Sequence, residues 1–316
     1  MMKLNLIAKL FLLALIFSCG RSTRKKSTEV WPNVSMDTMP APDFSIDSMD
    51  SKGEITVRYT DSILVKHKKI IINSRFYYIV EGDMLLNEYK YNQYRIGLLI
   101  KQNELFNQKL SMIKPSPNLR IDVINDTAVR WPENLPINFC INKSSFSSEA
   151  NYEMVKRNIL TAMNDWMHVC NINFKYRPVF DNRNYFHGNS DVDFVVVEYN
   201  AEGSFIAKAF FPRDPVQERN LIIDPSYYTT QFNKVGVFRH ELGHILGFRH
   251  EHISPDAPTA CPDEIITGTL ALTKYDPKSV MHYFCGGVGS LKLEISHSDT
   301  AGSVQLYGAP VLLATK

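Results

Sequence analysis

His240 and His244 stand four residues apart in the stretch HELGHILGFRHEH, with Glu241 directly after the first. On a helix this separation puts both side chains on one face, one turn apart. Two neutral imidazoles placed so can share a metal ion. Glu241 beside them reaches a metal-bound water without itself being a ligand. A straight helix cannot carry a third histidine to the same point. Gly247 tolerates φ > 0 and can end the helix, so that His250 returns beneath the metal. Three protein ligands leave a fourth position open, which is the arrangement of a catalytic zinc site rather than a structural one.

HExxH alone is a moderate signal, and the added glycine and third histidine make coincidence a poor explanation. Downstream lies YDPKSVMHYFC, with Ser279, Val280, Met281, His282 and Tyr283. The extended histidine motif and SVMHY together resemble the metzincin zinc peptidases, with the astacin-like branch most similar. The resemblance covers about Trp131 to Gly308, specific at these two motifs and architectural elsewhere. It implies an α+β fold: a metzincin-like zinc peptidase domain with a twisted mixed sheet, an active-site helix and an irregular C-terminal half, preceded by a small N-terminal pro-like segment.

The chemistry implied is endopeptidase hydrolysis by a zinc-bound water. His240, His244 and His250 would hold Zn²⁺, which acidifies the water and polarises the scissile carbonyl. Glu241 would be the general base. Tyr283 would support the oxyanion, or be a core tyrosine beside the turn. Met281 would floor the metal site, and Glu251 resembles the astacin glutamate that fixes the mature N-terminus. His252, His282, His297, His67, His168 and His187 stay outside the ligand set. The segment YYIVEGDMLLNE contains Gly82-Asp83 and is similar to the astacin pro-segment motif, whose aspartate takes the open zinc position in place of water. Val80 and Glu81 precede Gly82 here, so the usual phenylalanine is missing, and a plain turn between strands is the alternative. If the latch exists, self-cleavage is expected between about Leu119 and Trp131. An inactive zinc-stabilised surface binding lipoprotein, and a surface adhesin whose peptidase fold is incidental, are the other classes to weigh; the intact Glu241 argues against the first.

The elements that must position these residues are readable in outline. RWPENLPINFCI starts the main domain with a strand. Ser147 to Val169 is amphipathic, with Val155, Ile159, Ala162, Met163 and Trp166 on one face. NINFKYR, DFVVVEY, FIAKAFF and NLIIDP read as strands, with FIAKAFFPRDP as an edge that binds extended peptide. The zinc helix spans roughly Asn233 to Leu246. HSDTAGSVQLYG reads as a closing helix with Ser298 or Asp299 near its start.

The chain has 316 residues, 44% hydrophobic, enough for one sizeable domain plus accessory segments. Net charge is +2 with no long basic run, so nothing points to nucleic acid; a monomer acting on protein or peptide substrates is expected. Lys3 and Lys9 flank an N-terminal apolar run, Leu10 to Phe17, too short to span a bilayer. With Ser18, Cys19 and Gly20 it resembles a bacterial lipoprotein signal; an ordinary secretory signal is the alternative. The expected layout is a signal over 1–19, a flexible linker over 20–53, a pro-like region over 54–122, the peptidase domain over 123–309 and a tail over 310–316. Export to the periplasm or cell surface with a lipid anchor on Cys19, or secretion after processing, is expected. Lipidation leaves four cysteines and three possible pairings. Cys140–Cys170 and Cys261–Cys285 are the favoured ones: the first ties a strand to the following helix, the second braces the loop after His250 against the SVMHY turn.

Overall fold

The computed structural model describes residues 67–95, 119–124, 127–261 and 269–310, with the backbone of two short strands before them. The chain divides into two compact units, Met1–Val65 and Lys66–Lys316. In the first, Ser48–Met49 pairs antiparallel with Ile55–Thr56. The export signal, Cys19, most of the expected linker, residues 96–118 and the last six residues lie outside the described set. The second unit holds the remainder.

Its N-terminal part is a meander: β1 (Lys69–Ile72), β2 (Arg75–Val80) and β3 (Met84–Leu86), all antiparallel. Asn73 and Ser74 turn the first hairpin with φ of 47° and 63°. Glu81 (φ 53°) and Gly82 (φ 86°) turn the second. Helical residues 88–95 follow. Next comes β4 (Arg120–Ile124), which pairs with β5 (Thr127–Ala128) on one side and with the late strand β11 (Thr269–Ala271) on the other.

The central sheet contains β6 (Ile137–Ile141), β7 (Phe174–Tyr176), β8 (Phe194–Glu198), β9 (Ala207–Lys208) and β10 (Asn220–Ile223). Its order is β9-β10-β8-β6-β7; all strands run parallel except the edge strand β9. FVVVE and INFCI are buried throughout, as continuous apolar runs in a parallel sheet covered on both faces must be. One face receives α1 (Glu149–Val169), capped by Ser148, through Val155, Ile159, Ala162, Met163 and Trp166. The other face, with Cys140, Val195, Val197 and Ile222, packs against Ile72 and Ile79 of the meander. The N-terminal segment is therefore part of the sandwich and not an appendage.

Strand alternation decides the cysteines. Ile137, Phe139 and Ile141 face α1, so Cys140 faces the meander, while Cys170 closes α1 in the opposite layer. The expected Cys140–Cys170 bridge is not formed; both thiols are free, and burial pushes each up to about 12. Cys261–Cys285 is bridged.

The closing helix α3 (His297–Tyr307) is capped by Ser296, and Asp299 completes a capping box from inside the first turn. Ser298 and Asp299 lie in its first turn, near the start of the helix as expected. The expected self-cleavage window is partly buried. Leu119, Ile121, Val129 and Trp131 are buried, and the Trp131 indole donates to the Ile245 carbonyl at 2.6 Å. Between these buried residues Thr127 is exposed.

Candidate metal centre

The zinc-motif helix, α2 (Lys234–Ile245), starts at Asn233, whose side chain accepts from the Gly236 amide at 2.8 Å. It packs along α1, and the Trp166 indole donates to the Arg239 carbonyl at 2.9 Å. Gly247 ends it with φ 102°, and a Cβ there would lie 2.6 Å from the Val129 carbonyl oxygen. No other residue fits this turn. The returning chain is pinned twice: the Arg249 amide donates to the Arg120 carbonyl at 2.8 Å, and the Glu251 amide to the Met281 carbonyl at 2.9 Å.

These connections bring His240, His244 and His250 together, and they bring Asp83 from the β2–β3 turn to the same point. One ligand atom from each of the four lies within 4.8 Å of all the others, and all four residues are buried. Asp83 Oδ2 is 3.2 Å from His240 Nε2, 3.3 Å from His250 Nε2 and 3.8 Å from His244 Nε2.

The donor chemistry fits a metal ion. His240 Nδ1 faces the Val280 carbonyl at 2.8 Å and His244 Nδ1 the Phe248 carbonyl at 2.9 Å. A carbonyl only accepts, so each Nδ1 carries the proton and each Nε2 presents a lone pair. Those lone pairs point at a carboxylate oxygen, and His244 Nε2 lies 3.1 Å from His250 Nε2. Burial pushes His244 down to about 4, which keeps it neutral. Asp83 Oδ1 and Glu241 Oε2 are also buried without hydrogen-bond partners. A divalent cation among these atoms satisfies lone pairs that otherwise repel.

The surrounding residues fix this arrangement. Met281 is buried beneath α2; a Cβ on Gly243 would meet its sulfur at 2.3 Å, so the glycine lets the turn come this close. Asp299 accepts from Ser279 Oγ at 2.6 Å and from the Val280 amide at 2.8 Å. The first turn of α3 thus holds the carbonyl that orients His240. The Tyr283 hydroxyl donates to the Glu81 carbonyl, and its ring lies 4.4 Å from that of His250. Gly82 is required there, since a Cβ would stand 2.8 Å from the Tyr283 oxygen.

Glu241 is raised well above the usual carboxylate range, first by burial and then by the charge of Asp83. Burial would raise Asp83 too, but the charge of His250, the largest opposing influence, helps to hold Asp83 low. Glu251 accepts from the Asp276 amide at 2.7 Å, and burial pushes it up to about 9. His252 and His282 are buried beside the group but give it no ligand atom; His297 opens α3, and His67, His168 and His187 lie elsewhere.

Three residues were not singled out from sequence. Arg249 places Nη2 at 3.0 Å from both oxygens of Glu81 and Nη1 at 3.1 Å from Asp122. Asp299 is the second. Lys208, buried in the edge strand, is the third; burial lowers it to about 8. A basic residue between Gly247 and His250, and an acid just before Gly82-Asp83, were the available signals for the first. An apolar cavity of about 260 Å³ opens next to the group, walled by Phe205, Phe232, Val237, Leu293 and Tyr283.

Fold and site together are like those of metzincin-type metallopeptidases, and a family match supports that reading. Residues 130–257 match the family model for matrixin, a stretch that contains Glu241 and all three histidines. Matrixins are zinc-dependent, so zinc is the metal this centre takes. No curated protein matches the chain.

Proposed function

We propose that the chain is an exported zinc endopeptidase held latent by its own N-terminal hairpin. The observation that carries this reading is the seating of Asp83 Oδ2 among three histidine Nε2 atoms. His240, His244 and His250 would hold the zinc, and Asp83 would close the site to water in the latent chain. Zinc in this site supplies a Lewis acid that polarises the scissile carbonyl and acidifies water. Glu241 takes the proton from the attacking water and passes it to the leaving amine. Tyr283, once the Glu81 carbonyl is gone, turns its hydroxyl to the substrate oxygen where negative charge develops.

Tyr283 behind the Met281 turn, and Glu251 after His250, favour the astacin-like branch among metzincins. Extended peptide adds to the edge strand β9, and the apolar cavity takes a large side chain beside the cut bond. The segment Met1–Gly20 supports export, with anchorage of Cys19 in a bacterial membrane and the domain on the periplasmic or outer surface. The alternative of an inactive binding lipoprotein leaves Glu241 without a use.

Casein digestion by the full-length chain, by Asp83→Ala and by both with a chelator tests the reading. Asp83→Ala is expected to cleave at least about ten-fold faster than the unprocessed chain, and the chelator to abolish cleavage. Equal, chelator-insensitive activity would refute it.

A further inference from the structure

Glu81 does more than flank Asp83. Its side chain is wholly buried, with both oxygens 3.0 Å from Arg249 Nη2 and Oε2 at 3.6 Å from His250 Nδ1. The guanidinium sits 5.7 Å from the centre of the Phe211 ring, and that ring lies 5.4 Å from His244. The carboxylate is therefore held within one side chain of the metal group. Arg249, Phe211 and His250 lie within the expected peptidase domain, and Asp122 lies in β4, outside the hairpin.

Charge gives this place a preference. Asp122 pairs with Arg249 at 3.1 Å and with Arg213 at 3.2 Å, so one carboxylate serves two guanidinium groups. With Glu81 withdrawn, these three groups sum to one positive charge, with Arg249 and Asp122 buried and Arg213 partly exposed. A fixed guanidinium fork matches a carboxylate and pairs poorly with an amide. We propose that Arg249 is a specificity residue: it forms a subsite for an acidic side chain of the substrate, the subsite Glu81 fills in the latent chain. The inference rests on the peptidase reading above and names the substrate class, peptides with Glu or Asp near the cut bond.

The test uses the full chain with the latch opened by Glu81→Ala and Asp83→Ala. Fluorogenic peptides with amidated C-termini are paired, Glu against Gln, at each position around the scissile bond. At one position kcat/KM is expected to favour Glu by roughly ten-fold or more. In Arg249→Gln that ratio should fall to within about two-fold of unity, and Arg249→Lys should keep part of it. A ratio near one at every position in the opened chain overturns the proposal, whether or not Arg249→Gln folds. So does a ratio that survives Arg249→Gln, or a preference seen only with a free C-terminus. If no peptide is cleaved, the peptidase reading fails, and fluorescence anisotropy of the same pairs decides the subsite separately. Tighter binding of the Glu peptide supports it; equal binding overturns it.

Discussion

Gly247→Ala is the sharpest perturbation of the turn that returns His250. At φ 102° an alanine is strained, and its Cβ would stand 2.6 Å from the Val129 carbonyl oxygen. The backbone conformation costs about 1–3 kcal/mol for a residue with a Cβ. Relieving the contact, which must open by roughly 0.6 Å or more against chain pinned by β4 and Trp131, costs about 1–3 kcal/mol again. The sum is about 2–6 kcal/mol. At about 2–4 °C per kcal/mol for a domain of this size, melting should fall by roughly 5–20 °C. Scanning calorimetry with and without added zinc reads both effects. His240 and His244 precede the turn and keep their places, while His250 follows it. The stabilisation gained from zinc should therefore shrink as well as the melting temperature. A melting temperature within about 2 °C of the parent, with the full zinc increment, would refute the turn's role.

Glu241→Gln keeps the size of the side chain and should keep zinc, yet peptide cleavage by the processed enzyme should fall by roughly 10²-fold or more; near-parental turnover with bound zinc would remove Glu241 from the mechanism. Glu251 offers a pH test, since burial raises it from 4.5 to about 9. A carboxyl raised in the folded state gives stability that is fully present below about 4.5 and lost as pH climbs toward about 9. Glu251→Gln keeps an acceptor for the Asp276 amide and does not titrate, so its melting temperature should gain on the parent as pH rises through that window. A gap that stays constant from acid to alkaline pH would mean the carboxyl ionises freely.

What the sequence made legible was local. The spacing of His240 and His244, the turn at Gly247 and the face of α1 follow from helix period and glycine geometry, and the structure places them accordingly. The closing helix was legible as an element with Ser298 and Asp299 near its start, while its cap, Ser296, was not singled out. Whether Cys140 faced α1 or the meander depended on strand register, which the apolar run INFCI does not reveal because both of its faces are buried. Arg249 and Glu81 are 168 residues apart, and nothing local links them. Asp299 supporting Val280, and so His240, is likewise a tertiary contact between elements that read as independent. The burial of Leu119 and Ile121 within the expected cleavage window was hidden for the same reason: β4 becomes part of the core only by pairing with β11 from far along the chain.

The central claim is a zinc ion closed off by three histidines and Asp83 in the unprocessed chain. X-ray absorption at the zinc edge of the purified full-length protein tests it directly. The expected result is about one zinc per chain, in a four-coordinate shell of imidazole nitrogen and one carboxylate oxygen. Absence of zinc, or a shell that contains thiolate sulfur or fewer than three imidazoles, would contradict it.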